Sequence, residues 1–132
     1  MSRAPANALT DAPSTGPRLC WWRHAHGERT PFFVLSIADA QKLQAPGVYI
    51  LASAGIGGDY MAHYIGEADN IGAQLRQHGL VQAAMRAGAS QIHVNLTSKT
   101  HLSRILVEQA LIATHAPALN IARALAPDRL AG

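Results

Sequence analysis

Residues 47–66 read Gly-Val-Tyr-Ile-Leu-Ala-Ser-Ala-Gly-Ile-Gly-Gly-Asp-Tyr-Met-Ala-His-Tyr-Ile-Gly. The reading of this stretch decides the fold. Gly47 to Leu51 is an apolar run of strand length behind Pro46, which suits a buried strand. Gly55, Gly57 and Gly58 supply turn chemistry, and Met61 to Ile65 forms a second strand-like run. The pair predicts an antiparallel hairpin. Tyr49 and Tyr64 then lie on paired strands, where their phenols can approach each other. Their plainer reading is as β-favouring aromatics on a sheet face.

Downstream of the hairpin the pattern turns helical. Asp69 or Asn70 can cap a helix running to about His78. Gly79 breaks it, and a second helical stretch covers Leu80 to Ala87. Gln91 to Leu96 alternates, with Ile92, Val94 and Leu96 on one face, as in a half-buried strand. His93 then projects from the polar face and could border a cleft. Leu102 to His115 is a long helix ended by Pro117. Its residues are apolar nearly all the way round, which predicts a mostly buried helix. On its wheel Glu108 falls between Leu111 and Ile112. A carboxylate there should be paired, protonated or bound to a metal. The plain alternative is an i,i+4 ion pair with Arg104.

Upstream, residues 1–17 are rich in Ala, Pro, Ser and Thr and read as a disordered tail. Residues 18–46 form an N-terminal extension packed on the domain. Trp21, Trp22 and the run Phe32 to Leu35 are its short strands or core anchors. Ser36 caps a short helix with Asp39 in its first turn. The domain proper spans residues 47–123, and 124–132 form a C-terminal tail.

The bulk properties set broad limits. A chain of 132 residues fits one domain. Cys20 is the only cysteine, so an internal disulfide framework and a cysteine metal site are excluded. No apolar run reaches the length of a membrane span, and the N-terminus lacks the apolar region of a secretory signal. A cytoplasmic protein without membrane contact is the default expectation. The net charge of +3 and sequence pI of about 9.5 permit contact with a polyanion without demanding it. His24-Ala25-His26 has metal-binding spacing on a strand, but no neighbouring residue completes a site.

Five elements in order resemble the GIY-YIG nuclease superfamily. Gly47-Val48-Tyr49 resembles its first motif, and Tyr64-Ile65-Gly66 matches its second letter for letter. Asp69-Asn70-Ile71 with His78, then Glu108 to Ile112, then Pro117-Ala118-Leu119-Asn120 resemble the elements that follow. The resemblance covers Gly47 to Asn120, more than half of the chain. It implies an α+β domain with a small three-stranded antiparallel sheet flanked by helices. It also implies metal-dependent endonuclease action on nucleic-acid phosphodiesters, with DNA the expected substrate. Glu108 would hold Mg²⁺ (or Mn²⁺), with water and phosphate oxygens completing the shell. Tyr49 would serve as general base or proton relay, although a phenol is a poor base at neutral pH. Tyr64 and His78 would orient phosphate and nucleophile, and Asn120 would fix the site by hydrogen bonds against the nucleic acid.

One position departs from the pattern. The family carries an arginine where this chain has Gln74, and Arg76 lies about 200° further round the helix. Gln74 would therefore face the nucleic acid with a neutral amide in place of a bidentate cation. Arg104 is a candidate substitute for the missing charge. The alternative function is a catalytically impaired nucleic-acid-binding module, and a third is a structural or protein-interaction domain on the same scaffold. A standalone domain of this size could borrow its specificity from a protein partner.

Overall fold

A computed structural model describes residues 18–77 and 79–125. The expected tail at 1–17, residues 126–132 of the expected tail at 124–132, and the candidate His78 lie outside these described residues. The sheet contains five strands. They are β1 (Arg18–Arg23), β2 (Arg29–Leu35), β3 (Gly47–Ala54), β4 (Tyr60–Ala68) and β5 (Gln91–Asn95). Every neighbouring pair is antiparallel, in the order β1-β2-β5-β3-β4.

This corrects the expected three-stranded sheet. The expected strands are present side by side as β5, β3 and β4. The N-terminal extension does more than pack on them: its hairpin adds two strands to the open edge of β5, with Val34 opposite His93. An unpaired strand edge presents unsatisfied N–H and C=O groups, and the hairpin supplies their partners.

The helices are α1 (Ile37–Ala40), α2 (Ile71–Leu75), α3 (Leu80–Arg86), α4 (His101–His115) and α5 (Ala118–Leu125). Three of these helices start on a side-chain cap, at Ser36 and Asn70 as expected and at Thr100 besides. The Ser36 hydroxyl accepts from the Asp39 N–H at 3.0 Å. Asn70 Oδ1 accepts from the Ala73 N–H at 2.9 Å. Thr100 does the same for Ser103 at 3.1 Å. The glycine-rich connection between β3 and β4 is a hairpin loop with a single 3₁₀ turn at Ile56–Gly58.

The alternation of β3 splits the core in two. Tyr49 and Leu51 face one side, where Ile71, Leu75, Leu80 and Val81 of α2 and α3 cover them. Val48, Ile50 and Ile65 face the other, beneath Trp22, Phe32 and Leu111. The second side belongs to α4, whose burial differs from the expectation. Only Arg104 and Leu111 of α4 are buried, while Leu102 and Leu106 are 67% and 62% exposed. An apolar circumference does not bury a helix that has the sheet on one side only.

His93 is also placed differently from the expected cleft border. It is fully buried on the α4 side of the sheet. The Trp22 indole donates to its Nδ1 at 2.8 Å, and its Nε2 meets Gln91 Oε1 at 2.6 Å. The indole can only donate, so Nδ1 is the acceptor and Nε2 carries the proton. Burial, aided by the charge of Arg18, pushes the His93 pKa down to about 4. Between that value and the ordinary value near 6.5, the unfolded chain binds a proton that the folded chain excludes. Stability should therefore hold above pH 6.5 and fall by roughly 3 kcal/mol as pH drops to 4. Urea denaturation across pH 4–7 measures this, and His93→Gln should flatten the slope.

Candidate functional site

The site is built around the outer edge of β4. In the β3–β4 register Tyr49 lies opposite Gly66 and Leu51 opposite Tyr64. Tyr49 and Tyr64 therefore share a face on a diagonal, with ring centroids 6.1 Å apart and planes inclined by 36°. Gly66 makes this arrangement possible. A Cβ at that position would stand 2.6 Å from both Cζ and Oη of Tyr49, and 2.9 Å from Cε2 of Tyr64. The Tyr49 ring lies directly over the Gly66 backbone. The letters of the two motifs thus have a steric meaning that the resemblance alone did not carry.

Both tyrosines are buried. Burial raises the Tyr49 pKa far above the ordinary phenol value; Tyr64 and the nearby carboxylates of Glu108 and Glu67 add to it, while Arg123 opposes it. Tyr64 is raised by burial too, with Arg123 opposing and Glu108 adding. Both groups are therefore neutral phenols at any physiological pH. Tyr49 can donate a hydrogen bond or relay a proton, but it holds no standing phenolate.

Because β4 is an edge strand, alternate residues point main-chain groups outward, and side chains from α4 and α5 meet them. Asn120 Oδ1 accepts from the Ile65 N–H at 2.8 Å, and its Nδ2 donates to the Ile65 carbonyl at 2.7 Å. The amide thus imitates a neighbouring strand. Two residues on, the Glu67 main chain lies near the Glu108 carboxylate and favours its charged form. Asn120 thereby closes α5 onto the sheet, with both its amide groups engaged by Ile65. Asn120→Ala should cost about 1–3 kcal/mol, because it leaves two half-buried main-chain groups without partners. Thermal melting of Asn120→Ala and Asn120→Asp would check this, and the Asp variant should also destabilise because it lacks the donor.

Glu108 is half-buried. Burial pushes its pKa up; the Gln109 side chain, which donates to it at 3.2 Å, opposes, and Glu67 adds repulsion. Among the described residues no cation lies within ion-pair distance of it. The expected alternative partner, Arg104, is engaged elsewhere. Its Nε donates to Glu67 at 3.0 Å, its Nη1 to the Lys99 carbonyl at 2.9 Å, and its Nη2 to Asp69. Arg104 is 2% exposed. It ties α4 to the end of β4, and its donors are spent on the protein itself.

The carboxylate of Glu108 fits a hard divalent cation: it is half-buried, and the side chain that donates to it is the neutral amide of Gln109. No cluster of three or more His, Cys, Asp or Glu exists among the described residues. Glu108 would be the principal protein ligand, leaving most of the shell to water and phosphate oxygens.

The remaining candidates diverge. Gln74, on α2, is half-buried. The Arg76 guanidinium donates to the Gln41 carbonyl and is directed to α1. Sequence reasoning missed Arg123. Its guanidinium sits over the Tyr64 ring, 5.5 Å from the centroid. The signal available was weak: Arg123 follows Asn120 by three residues, but no helix was expected there.

His24 is half-satisfied locally, with Nε2 2.9 Å from Thr30 Oγ1 and Nδ1 3.7 Å from Glu28. No helix among the described residues is long and apolar enough to cross a membrane by itself. No protein-family model, curated protein or solved structure matches this chain.

Proposed function

We propose that the chain is a metal-dependent endonuclease of the GIY-YIG type acting on DNA. The observation that carries this reading is the convergence of four groups at the β4 edge. Two adjacent neutral phenols, a carboxylate without an ion pair among the described residues and a guanidinium share one electrostatic neighbourhood. The two rings belong to the core, but their hydroxyls, the carboxylate and the guanidinium are polar groups that core packing does not require.

The chemistry follows from the residues. Hydrolysis joins a water oxygen to phosphorus as the bond from phosphorus to one ester oxygen breaks. The water gives up a proton, and the departing oxygen gains one. Glu108 would hold Mg²⁺ or Mn²⁺, which supplies Lewis acidity to the phosphate and acidifies bound water. Tyr49, kept protonated by burial, would donate to a phosphate oxygen or pass a proton through its hydroxyl. Tyr64, less buried than Tyr49, would orient the phosphate at the mouth of the site. His78 keeps the phosphate-orienting role that the resemblance implies.

A second reading, a nucleic-acid-binding module without efficient cleavage, is favoured by the charge balance. Gln74 is neutral, and Arg104 is spent on Glu67 and Asp69. Supercoiled plasmid incubated with Mg²⁺ separates the readings. Nicking that EDTA stops supports the nuclease. Duplex binding that weakens steeply with salt, without nicking, supports the binding module.

A further inference from the structure

We propose that Arg123 of α5 is the residue that grips the substrate phosphate, a role that rests on the nucleic-acid reading of this site. Arg104 is buried and bonded to Glu67, Asp69 and the Lys99 carbonyl. Arg76 donates to the Gln41 carbonyl. Gln74 has no charge. Arg123 has no carboxylate within ion-pair distance among the described residues. Its guanidinium lies 5.5 Å from the centre of the Tyr64 ring.

The fold holds it there by a specific device. Asn120 binds both main-chain groups of Ile65 and so locks α5 against the β4 edge. Leu119 packs on the core beside it. Residues three apart on a helix share a face, so the clamp at Asn120 directs Arg123 toward the ring of Tyr64. A guanidinium stacked on an aromatic face keeps its in-plane N–H donors free, and those donors match a phosphate's oxygens in pairs. Its charge is felt at both phenols. The resulting order, guanidinium over Tyr64 and Tyr64 beside Tyr49, places a permanent positive charge where a phosphodiester would gain negative charge during cleavage.

The test uses the full chain with supercoiled plasmid for cleavage, and a fluorescein-labelled DNA duplex in Ca²⁺ for binding. The variants are Arg123→Met, which keeps an apolar stem on Tyr64, and Arg123→Lys, which keeps the charge. If the parent nicks, Arg123→Met should lose on the order of 10²–10³ in rate, and Arg123→Lys should fall between the two. The slope of log affinity against log salt should shrink by about one in Arg123→Met. Nicking within twofold of the parent together with an unchanged salt slope would overturn the assignment while leaving the nuclease reading in place. If the parent binds duplex without nicking, a reduced slope in Arg123→Met sustains the phosphate contact and removes the hydrolytic reading. An unchanged slope removes the phosphate contact, and a parent that neither nicks nor binds removes both.

Discussion

Glu108→Ala should reduce Mg²⁺-dependent nicking by on the order of 10³ or more, with little change in fold. The expected size follows from what the side chain supplies. It is the one carboxylate that the resemblance assigns to the metal, and among the described residues it has no cationic partner within ion-pair distance. Loss of a single preorganised group that stabilises transition-state charge costs about 10²–10³. Loss of the anchor for the Lewis acid costs at least as much. Glu108 also accepts from the Gln109 side chain at 3.2 Å, so the alanine variant removes one hydrogen bond of about 1 kcal/mol. Glu108→Gln separates the two roles. Its amide oxygen can still accept from Gln109, yet it carries no charge for a divalent ion. The expected result is a melting temperature near the parent's with nicking lost. Titration calorimetry with Mn²⁺ should show weaker binding in the same variant. A Glu108→Gln protein that nicks at the parent's rate would sink the nuclease reading as built here.

Gly66→Ala should destabilise this domain strongly. The added Cβ would overlap Tyr49 at 2.6 Å and Tyr64 at 2.9 Å. Neither ring has room to retreat, since Tyr49 is 1% and Tyr64 8% exposed. Overpacking of this kind costs about 3 kcal/mol. For a domain of about 100 residues, that lowers the melting temperature by more than about 10 °C. Tyr49→Phe should give no relief, because the ring carbon Cζ clashes as closely as the hydroxyl. Tyr49→Leu should relieve it, so Gly66→Ala with Tyr49→Leu should destabilise by less than the sum of the single changes. A melting temperature for Gly66→Ala within about 2 °C of the parent would show that the sheet shifts to accommodate the methyl. The glycine would then owe its place to something other than the two rings.

These two predictions concern residues that the sequence singled out, and the structure supplies different kinds of content for each. Gly66 was readable as the last residue of the second motif, but the group it makes room for was not. The ring of Tyr49 comes from a strand 17 positions earlier, and the β3–β4 register decides that it lies over Gly66. Glu108 was suspect because its helix looked apolar all round. The burial inferred from that pattern does not hold, since Leu102 and Leu106 are exposed. The carboxylate's isolation has another origin: Arg104, its expected partner, turns to β4.

The local elements were determined by the sequence alone. The strand runs, the glycine turn and the caps at Ser36 and Asn70 depend on interactions within a few residues, and short-range patterns encode them directly. The matched pair of tyrosines and the glycine at residue 66 also belong to this level. The tertiary structure decided everything that depends on which surfaces meet. It set the N-terminal hairpin on the free edge of β5, making five strands of an expected three. It buried His93 between Trp22 and Gln91, on a face that period-two alternation marks only as the opposite of Ile92 and Val94. It spent Arg104 on Glu67 and Asp69, and it laid α5 along β4 so that Arg123 reached Tyr64. An edge strand's open main-chain groups and a charge's nearest partner are properties of long-range contact. Residues 37 and 55 positions apart, as in the Arg104–Glu67 and Asn120–Ile65 pairs, leave no periodic trace in the chain that joins them.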